Sequence, residues 1–127
     1  YSARLILTSR SGTPPEKDWP HILALPRQDE LRLRLEKYLR TRASAGGLIV
    51  QSADVSDPTQ ARMLVDLALT RFGALDGVIH TAGVASGGLL HQRTRESSLD
   101  VLRSKVHGTL ALDAALRGVP IDFFLLC

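Results

Sequence analysis

Two patterns of apolar residues take turns along this chain. Four short, mostly apolar runs, Leu5 to Thr8, Leu48 to Val50, Val78 to His80 and Ile121 to Leu126, suit strands buried on both faces. Between them the apolar positions recur at helical spacing. Asp57-Pro58-Thr59-Gln60 predicts a helix start, with a capping aspartate, proline at the first helical position and Gln60 three residues after the cap. Ala61, Leu64, Val65, Ala68, Leu69 and Phe72 then follow i, i+3, i+4 spacing, and Gly73 supplies a stop. A second helix is expected over Ser98 to Arg117, with Leu99, Leu102, Val106, Leu110 and Ala114 as its packed face and Gly118 and Pro120 at its end. A third is expected over Asp29 to Ala43, with Leu31, Leu35 and Leu39 on one side. Ser11 to Arg27 holds Pro14, Pro15, Pro20 and Pro26 and reads as irregular, with one short helix near Trp19.

Strands that alternate with helices predict an α/β fold, a Rossmann-like doubly wound parallel sheet. Ligands of such sheets lie beyond the carboxyl ends of the strands, so those ends are where chemistry is to be sought. Size and composition narrow the classes further. With 127 residues the chain is one domain's worth, and 44% apolar with 23% charged residues is ordinary for a globular protein. Charged residues interrupt every apolar run before membrane-spanning length, and the opening Tyr-Ser-Ala-Arg has no leader pattern. One cysteine, Cys127, allows no internal disulfide. A cytoplasmic location with no membrane partner is the resulting expectation. The net charge of +3 owes much to arginines between Arg27 and Arg42, interleaved with leucines, which reads as a solvated helix face. Without a helix-turn-helix, zinc-ligand cluster or aromatic stripe, neither a nucleic-acid partner nor a metal is expected.

Each strand end offers a candidate. Thr8-Ser9-Arg10-Ser11-Gly12 follows the first run, at a place where folds that bind NAD carry a carboxylate for the ribose hydroxyls. Ser9 and Arg10 offer donors that suit a 2′-phosphate, though a plain basic turn reads as well. After the second run, Asp54 could accept from an adenine amine beside the apolar edge of Val55, or could share the capping work of Asp57. After the third, Ala82 and Gly83 would let the backbone pass close to a nicotinamide ribose, or form a simple turn. The following Ala85-Ser86-Gly87-Gly88 is too loosely spaced for a phosphate loop.

Taken in order, Ala-Arg-Leu-Ile-Leu-Thr-Ser-Arg-Ser-Gly (3 to 12), Ala-Asp-Val-Ser-Asp (53 to 57), Leu-Asp-Gly-Val-Ile-His-Thr-Ala-Gly-Val (75 to 84), Val-Leu-Arg-Ser-Lys-Val-His-Gly-Thr (101 to 109) and Asp-Phe-Phe-Leu-Leu-Cys (122 to 127) resemble the ketoreductase domain of modular type I polyketide synthases. Residues 11 to 42 stand apart as an irregular and helical insertion. The resemblance implies the short-chain dehydrogenase/reductase superfamily, NADPH as cofactor, and reduction of a β-ketoacyl group on an acyl carrier protein, within a multifunctional phosphopantetheine-dependent synthase whose other domains share the polypeptide. It implies Ser9, Arg10, Asp54, Val55, Ala82 and Gly83 as cofactor-binding residues. Lys105 falls on the catalytic lysine of a Lys-x-x-Gly pattern, beside the tyrosine that donates the proton, and Gly108 on the glycine that permits close packing. The expected packed face puts Lys105 at its edge, one residue from Val106 and three from Leu102.

Departures from the family shape further expectations. The Gly-rich loop and its strand would precede Tyr1, and the catalytic serine, tyrosine and asparagine would follow Cys127. The piece by itself is therefore expected to be inactive, with a sheet incomplete in its first strand and its C-terminal part. In the family's 3-2-1-4-5 strand order the absent strand would lie between the first and third runs, and unpaired strand edges would leave the piece unstable alone. Ala85-Ser86-Gly87 stands where some ketoreductases carry Leu-Asp-Asp. Rival readings are a catalytically inactive scaffold of the same fold, a fatty acid synthase ketoreductase, and a free-standing sugar or steroid reductase, which would carry asparagine in place of Lys105.

Overall fold

A computed structural model describes residues 2–26, 29–83 and 94–127. They divide into two units, Tyr1–Ser52 and Ala53–Cys127. The first unit pairs strands β1 (Arg4–Ser9) and β2 (Gly47–Ser52) in parallel, with Leu5 opposite Leu48 and Leu7 opposite Val50. The second pairs β3 (Gly77–His80) and β4 (Phe123–Leu126), also in parallel, with Val78 opposite Phe124. All four apolar runs are strands. The two parallel pairs form separate two-stranded sheets, one in each unit.

In the first unit the proline-rich segment carries one 3-10 turn (Glu16–Asp18) and the short helix α1 (Trp19–Ala24). It is tied down through Trp19, whose indole N–H donates to the Pro14 carbonyl at 2.8 Å and whose ring lies 6.1 Å from that of Tyr38. Helix α2 (Glu30–Ser44) begins at Asp29, which caps the Arg32 amide, and buries Leu35 fully. Leu39, expected beside it, is exposed. The arginines of this stretch are not a merely solvated face. Arg32 donates to the Leu25 carbonyl and to Glu36, while Arg42 pairs with Glu16 and lies 5.3 Å over the Trp19 ring. Planar, many-donor guanidinium groups are fastening the insertion to its own helix.

In the second unit α3 (Pro58–Phe72) starts and stops as its sequence predicts. Asp57 accepts from the Thr59 and Gln60 amides, and Gly73 takes the left-handed conformation (φ 79°) that ends the helix. The side chain of Gln60 bonds back to Asp57 and accepts from the Asp54 amide, rather than from the cap's own amide. The next helix runs as α4 (Arg95–Leu102), a π-helical turn (Arg103–His107) and α5 (Gly108–Leu116), with Thr94 as its cap.

Its packed face differs from the expected one. Leu99, Leu102, Val106 and Leu110 are 46 to 62% exposed and Ala114 is exposed, whereas Ser104, Gly108, Ala111, Leu112, Ala115 and Leu116 are buried. Helix α5 packs against α3, whose inner face is Ala61, Leu64, Val65 and Ala68. Small residues at 104, 108, 111 and 115 let the helix approach closely, and that close packing outweighs the larger but more scattered leucines. Among the described residues no helix is long and apolar enough to cross a membrane.

Candidate active site

The strand ends hold the candidate chemistry, and each unit presents its own part. In the first unit, Ser9 closes β1 and Arg10 begins the turn after it. Arg10 is exposed, and its carbonyl accepts from the Ser52 hydroxyl at the neighbouring end of β2, which fixes the turn to the sheet. Next to it opens a cavity of about 450 Å³ lined by Ser11, Gly12, Thr13, Pro14, Leu31 and Arg34. Arg34 reaches in from α2 and donates to the Ser11 hydroxyl at 3.2 Å. Two of its lining residues each have a buried atom, Arg34 Nε and Thr13 Oγ1, that finds no hydrogen-bond partner among the described residues. Sequence pattern placed Arg34 on a solvated face. The usable signal was its place one residue before the fully buried Leu35.

In the second unit, Asp54 organises the turn beyond β2. Its Oδ1 accepts from the amide and the hydroxyl of Ser56, at 2.9 and 2.6 Å, and its carbonyl accepts from the Asp57 amide. Val55 is turned inward and buried, its Cγ2 lying 3.3 Å from where a Cβ on Gly108 would sit. The expected apolar edge for a ring is thus packed inside the unit. Ala82 and Gly83 follow β3, with Ala82 half-buried and Gly83 exposed. The stretch from 84 to 93, with Val84 and Ala85-Ser86-Gly87-Gly88, lies outside the described residues.

Gly83 and Lys105, both implied as site residues by the sequence, are brought together. A Cβ on Gly83 would stand 3.1 Å from Lys105 Cε and 3.5 Å from its Nζ. Glycine at 83 is what leaves room for the lysine. The half-buried Lys105 also donates to the Cys127 carbonyl, just past β4. Its ammonium therefore stands at the carboxyl ends of both β3 and β4, where a doubly wound sheet holds its ligand.

Lys105 belongs to the π-helical turn, and the turn has a partner. The Gly108 amide donates to the carbonyls of Arg103 and Lys105, not to Ser104 four residues back. The Ser104 carbonyl instead lies 3.0 Å from Nε2 of His80, the last residue of β3, which is 4% exposed. A carbonyl can only accept, so the ring nitrogen facing it carries the proton. Gly108 makes this possible, because a Cβ there would meet His80 Cε1 and Nε2 at 3.2 Å. No pattern in the sequence marked His80; a histidine at a strand end facing a Ser-Lys-x-x-Gly helix was the one available clue. Among the described residues no group of three or more histidine, cysteine or acidic side chains could hold a metal ion.

Comparison with known proteins gives a consistent result. A sequence model described as the KR domain matches residues 2–127. Polyketide synthase PksM of Bacillus subtilis (strain 168) is 34% identical over 124 residues, covering 97% of this chain and 2% of its own length. A 6-methylsalicylic acid synthase of Arthrobotrys oligospora is 36% identical over 124 residues, covering 97% of this chain and 7% of its own. The crystal structure of an N-terminal ketoreductase from the macrolactin assembly line matches with a TM-score of 0.74 and 27% identity, over 97% of this chain and 22% of that one. The chain thus spans a small fraction of the curated relatives it matches.

Proposed function

Because the chain belongs to the KR domain family, we propose that it forms the cofactor-holding part of an NADPH-dependent reductase acting on β-ketoacyl thioesters carried by an acyl carrier protein. The product would be the β-hydroxyacyl thioester, and the setting a polyketide synthase, as the name of the Bacillus subtilis relative reads, whose other domains would share the polypeptide. The observation that carries the reading is the meeting of Lys105 and Gly83 at the ends of β3 and β4.

The residues fit such a cofactor. Arg34, which lines the cavity beside the turn after β1 and donates to the Ser11 hydroxyl there, brings a guanidinium that suits a phosphate. Ser9 and Arg10 stand at the end of β1, and no side chain at Gly83 obstructs the surface beside Lys105. Ser9, Arg10 and Arg34 would hold the 2′-phosphate, Asp54 with the backbone of Val55 the adenine, and Ala82 with Gly83 the nicotinamide ribose. Bound NADPH would supply the hydride for the carbonyl carbon of the substrate. The carbonyl oxygen must gain a proton in the same reduction. Lys105 brings three N–H donors and a positive charge to the place where that proton is handled, lowering the cost of transient negative charge on a neighbouring hydroxyl.

The test uses the complete protein. Lys105→Ala should cut turnover of a β-ketoacyl thioester by about a hundredfold or more while NADPH binding changes far less. Unchanged turnover would remove Lys105 from the reaction. Arg10→Asp should weaken NADPH by roughly tenfold or more and leave NADH binding nearly untouched. An unaltered preference between the two cofactors rejects the phosphate role. Wild-type protein that binds NADPH yet reduces no β-ketoacyl thioester would establish the inactive scaffold instead.

A further inference from the structure

We infer that His80 is a positioning residue for Lys105, acting by holding the one carbonyl that the π-helical turn releases. The inference rests on the reductase reading for its catalytic consequence and on geometry for the rest.

In a regular α-helix the Gly108 amide would bond the Ser104 carbonyl. Here the ladder slips by one residue, the amide goes to Arg103, and the Ser104 carbonyl turns out of the helix. A slip of one residue rotates everything on its amino-terminal side by about 100° relative to a straight helix. Lys105 lies inside the slipped turn, so its direction depends on whether the slip persists. Without an outside donor to the released carbonyl, a π-helical turn relaxes toward the α pattern, because that carbonyl then regains a partner.

His80 prevents that. Its Nε2–H occupies the Ser104 carbonyl at 3.0 Å, in a site where Ser104 and His80 are both buried and water cannot substitute. The ring is held in turn by the backbone of β3, whose His80 carbonyl accepts from the Cys127 amide next to it. The same edge of the ring meets Gly108, where a Cβ would stand 3.2 Å from Cε1 and Nε2. Lys105 has a second tie in the same turn, its carbonyl accepting from the Thr109 hydroxyl at 2.5 Å. One buried histidine thus couples the end of β3, which carries Ala82 and Gly83 immediately after it, to the helix that carries Lys105. Both halves of the site are set by the same ring.

The experiment compares three forms of the complete protein: wild type, His80→Leu, which keeps bulk without a donor, and His80→Gln, whose side-chain N–H reaches the same carbonyl. Expected for His80→Leu is a turnover loss of about tenfold or more with the KM for NADPH nearly unchanged. Amide hydrogen exchange in residues 103–109 should quicken by about tenfold as well. His80→Gln should restore both to within about threefold of wild type. Should His80→Leu not yield soluble protein, His80→Asn, whose donor stops one bond short, takes its place with the same outcomes. The inference is overturned if the donor-less variant keeps wild-type turnover, or if exchange quickens without any loss of turnover. Failure of His80→Gln to restore turnover overturns it too. If wild-type protein reduces no β-ketoacyl thioester, the reductase reading falls instead, and unchanged exchange in His80→Leu remains the result that would refute the clamp.

Discussion

Replacing Gly108 by alanine sets two well-known effects against each other. Alanine is the better helix former by about 1 kcal/mol, so at an exposed site inside a helix the change would stabilise. Gly108 is fully enclosed, and the new methyl would stand 3.2 Å from two atoms of the His80 ring and 3.3 Å from Val55 Cγ2. Contacts of this kind prefer about 3.5–4.0 Å, and neither neighbour is a free side-chain end, since His80 and Val55 are both buried. Forcing a methyl into packed surroundings costs about 1–3 kcal/mol. If the ring retreats to make room, the Ser104 carbonyl loses its donor, which adds about 1–3 kcal/mol. The balance is a net loss of about 2 kcal/mol after the propensity gain, equivalent to roughly thirtyfold faster exchange of amides in α5. Hydrogen exchange followed by mass spectrometry on the complete protein reads this directly, peptide by peptide. Protection in α5 equal to or above wild type would show that the close approach of the helix to His80 does not exist, and the geometry argued for Lys105 would go with it.

Three further outcomes follow from the same structure. Gly83→Ala puts a Cβ 3.1 Å from Lys105 Cε, so the lysine must move by a few tenths of an ångström; turnover should fall several-fold while exchange in β3 stays unchanged. Arg34→Met should weaken NADPH more than NADH in fluorescence titrations; equal weakening of both would detach Arg34 from the phosphate. Asp57→Ala should speed exchange in the first turn of α3 several-fold, because two backbone donors lose their acceptor. The Asp57 carboxyl is held below its ordinary range by the Gln60 side chain first and the Thr59 amide next. A group whose folded value is depressed favours folding above its unfolded value and loses that contribution as pH falls through the folded one. The protection conferred by Asp57 should therefore be complete near neutrality and fade below about pH 4, and a fade on the alkaline side would contradict the sign.

The elements themselves were legible because local chemistry agrees with them. Apolar runs of three to six residues marked the strands, and Asp57-Pro58 with Gly73 bracketed α3 to the residue, since caps and stops act within a turn of the chain. The start of α4 was less legible, because Thr94 and Ser98 can both cap and the observed helix uses Thr94. The face of α5 misled for a physical reason. Counting large apolar residues finds the stripe from Leu99 to Leu110, but a helix seeks the closest packing, and the stripe of Gly108, Ala111 and Ala115 allows it against the alanines of α3. The arginines of α2 misled likewise. Their partners, Glu16, Leu25 and Ser11, come from a segment whose path no periodicity encodes.

The site divides along the same line. Residues that need a chemical type at a strand end, Arg10 and Gly83, can be singled out in a sequence because the fold rule fixes where to look, whereas Lys105, on a helix, is singled out by the family resemblance. Residues that work by releasing or taking a backbone group cannot, because the backbone carries no letter. The π-helical turn over Arg103–His107 has no sequence signature of its own, and it is held where something outside the helix donates to the carbonyl that it frees. That requirement is a way to search: a buried donor at a strand end, facing a glycine on the helix that carries a catalytic candidate, marks where the ladder can slip. His80 opposite Gly108 meets it, and the slip aims the chain's one candidate catalytic lysine past Gly83 instead of along the helix flank.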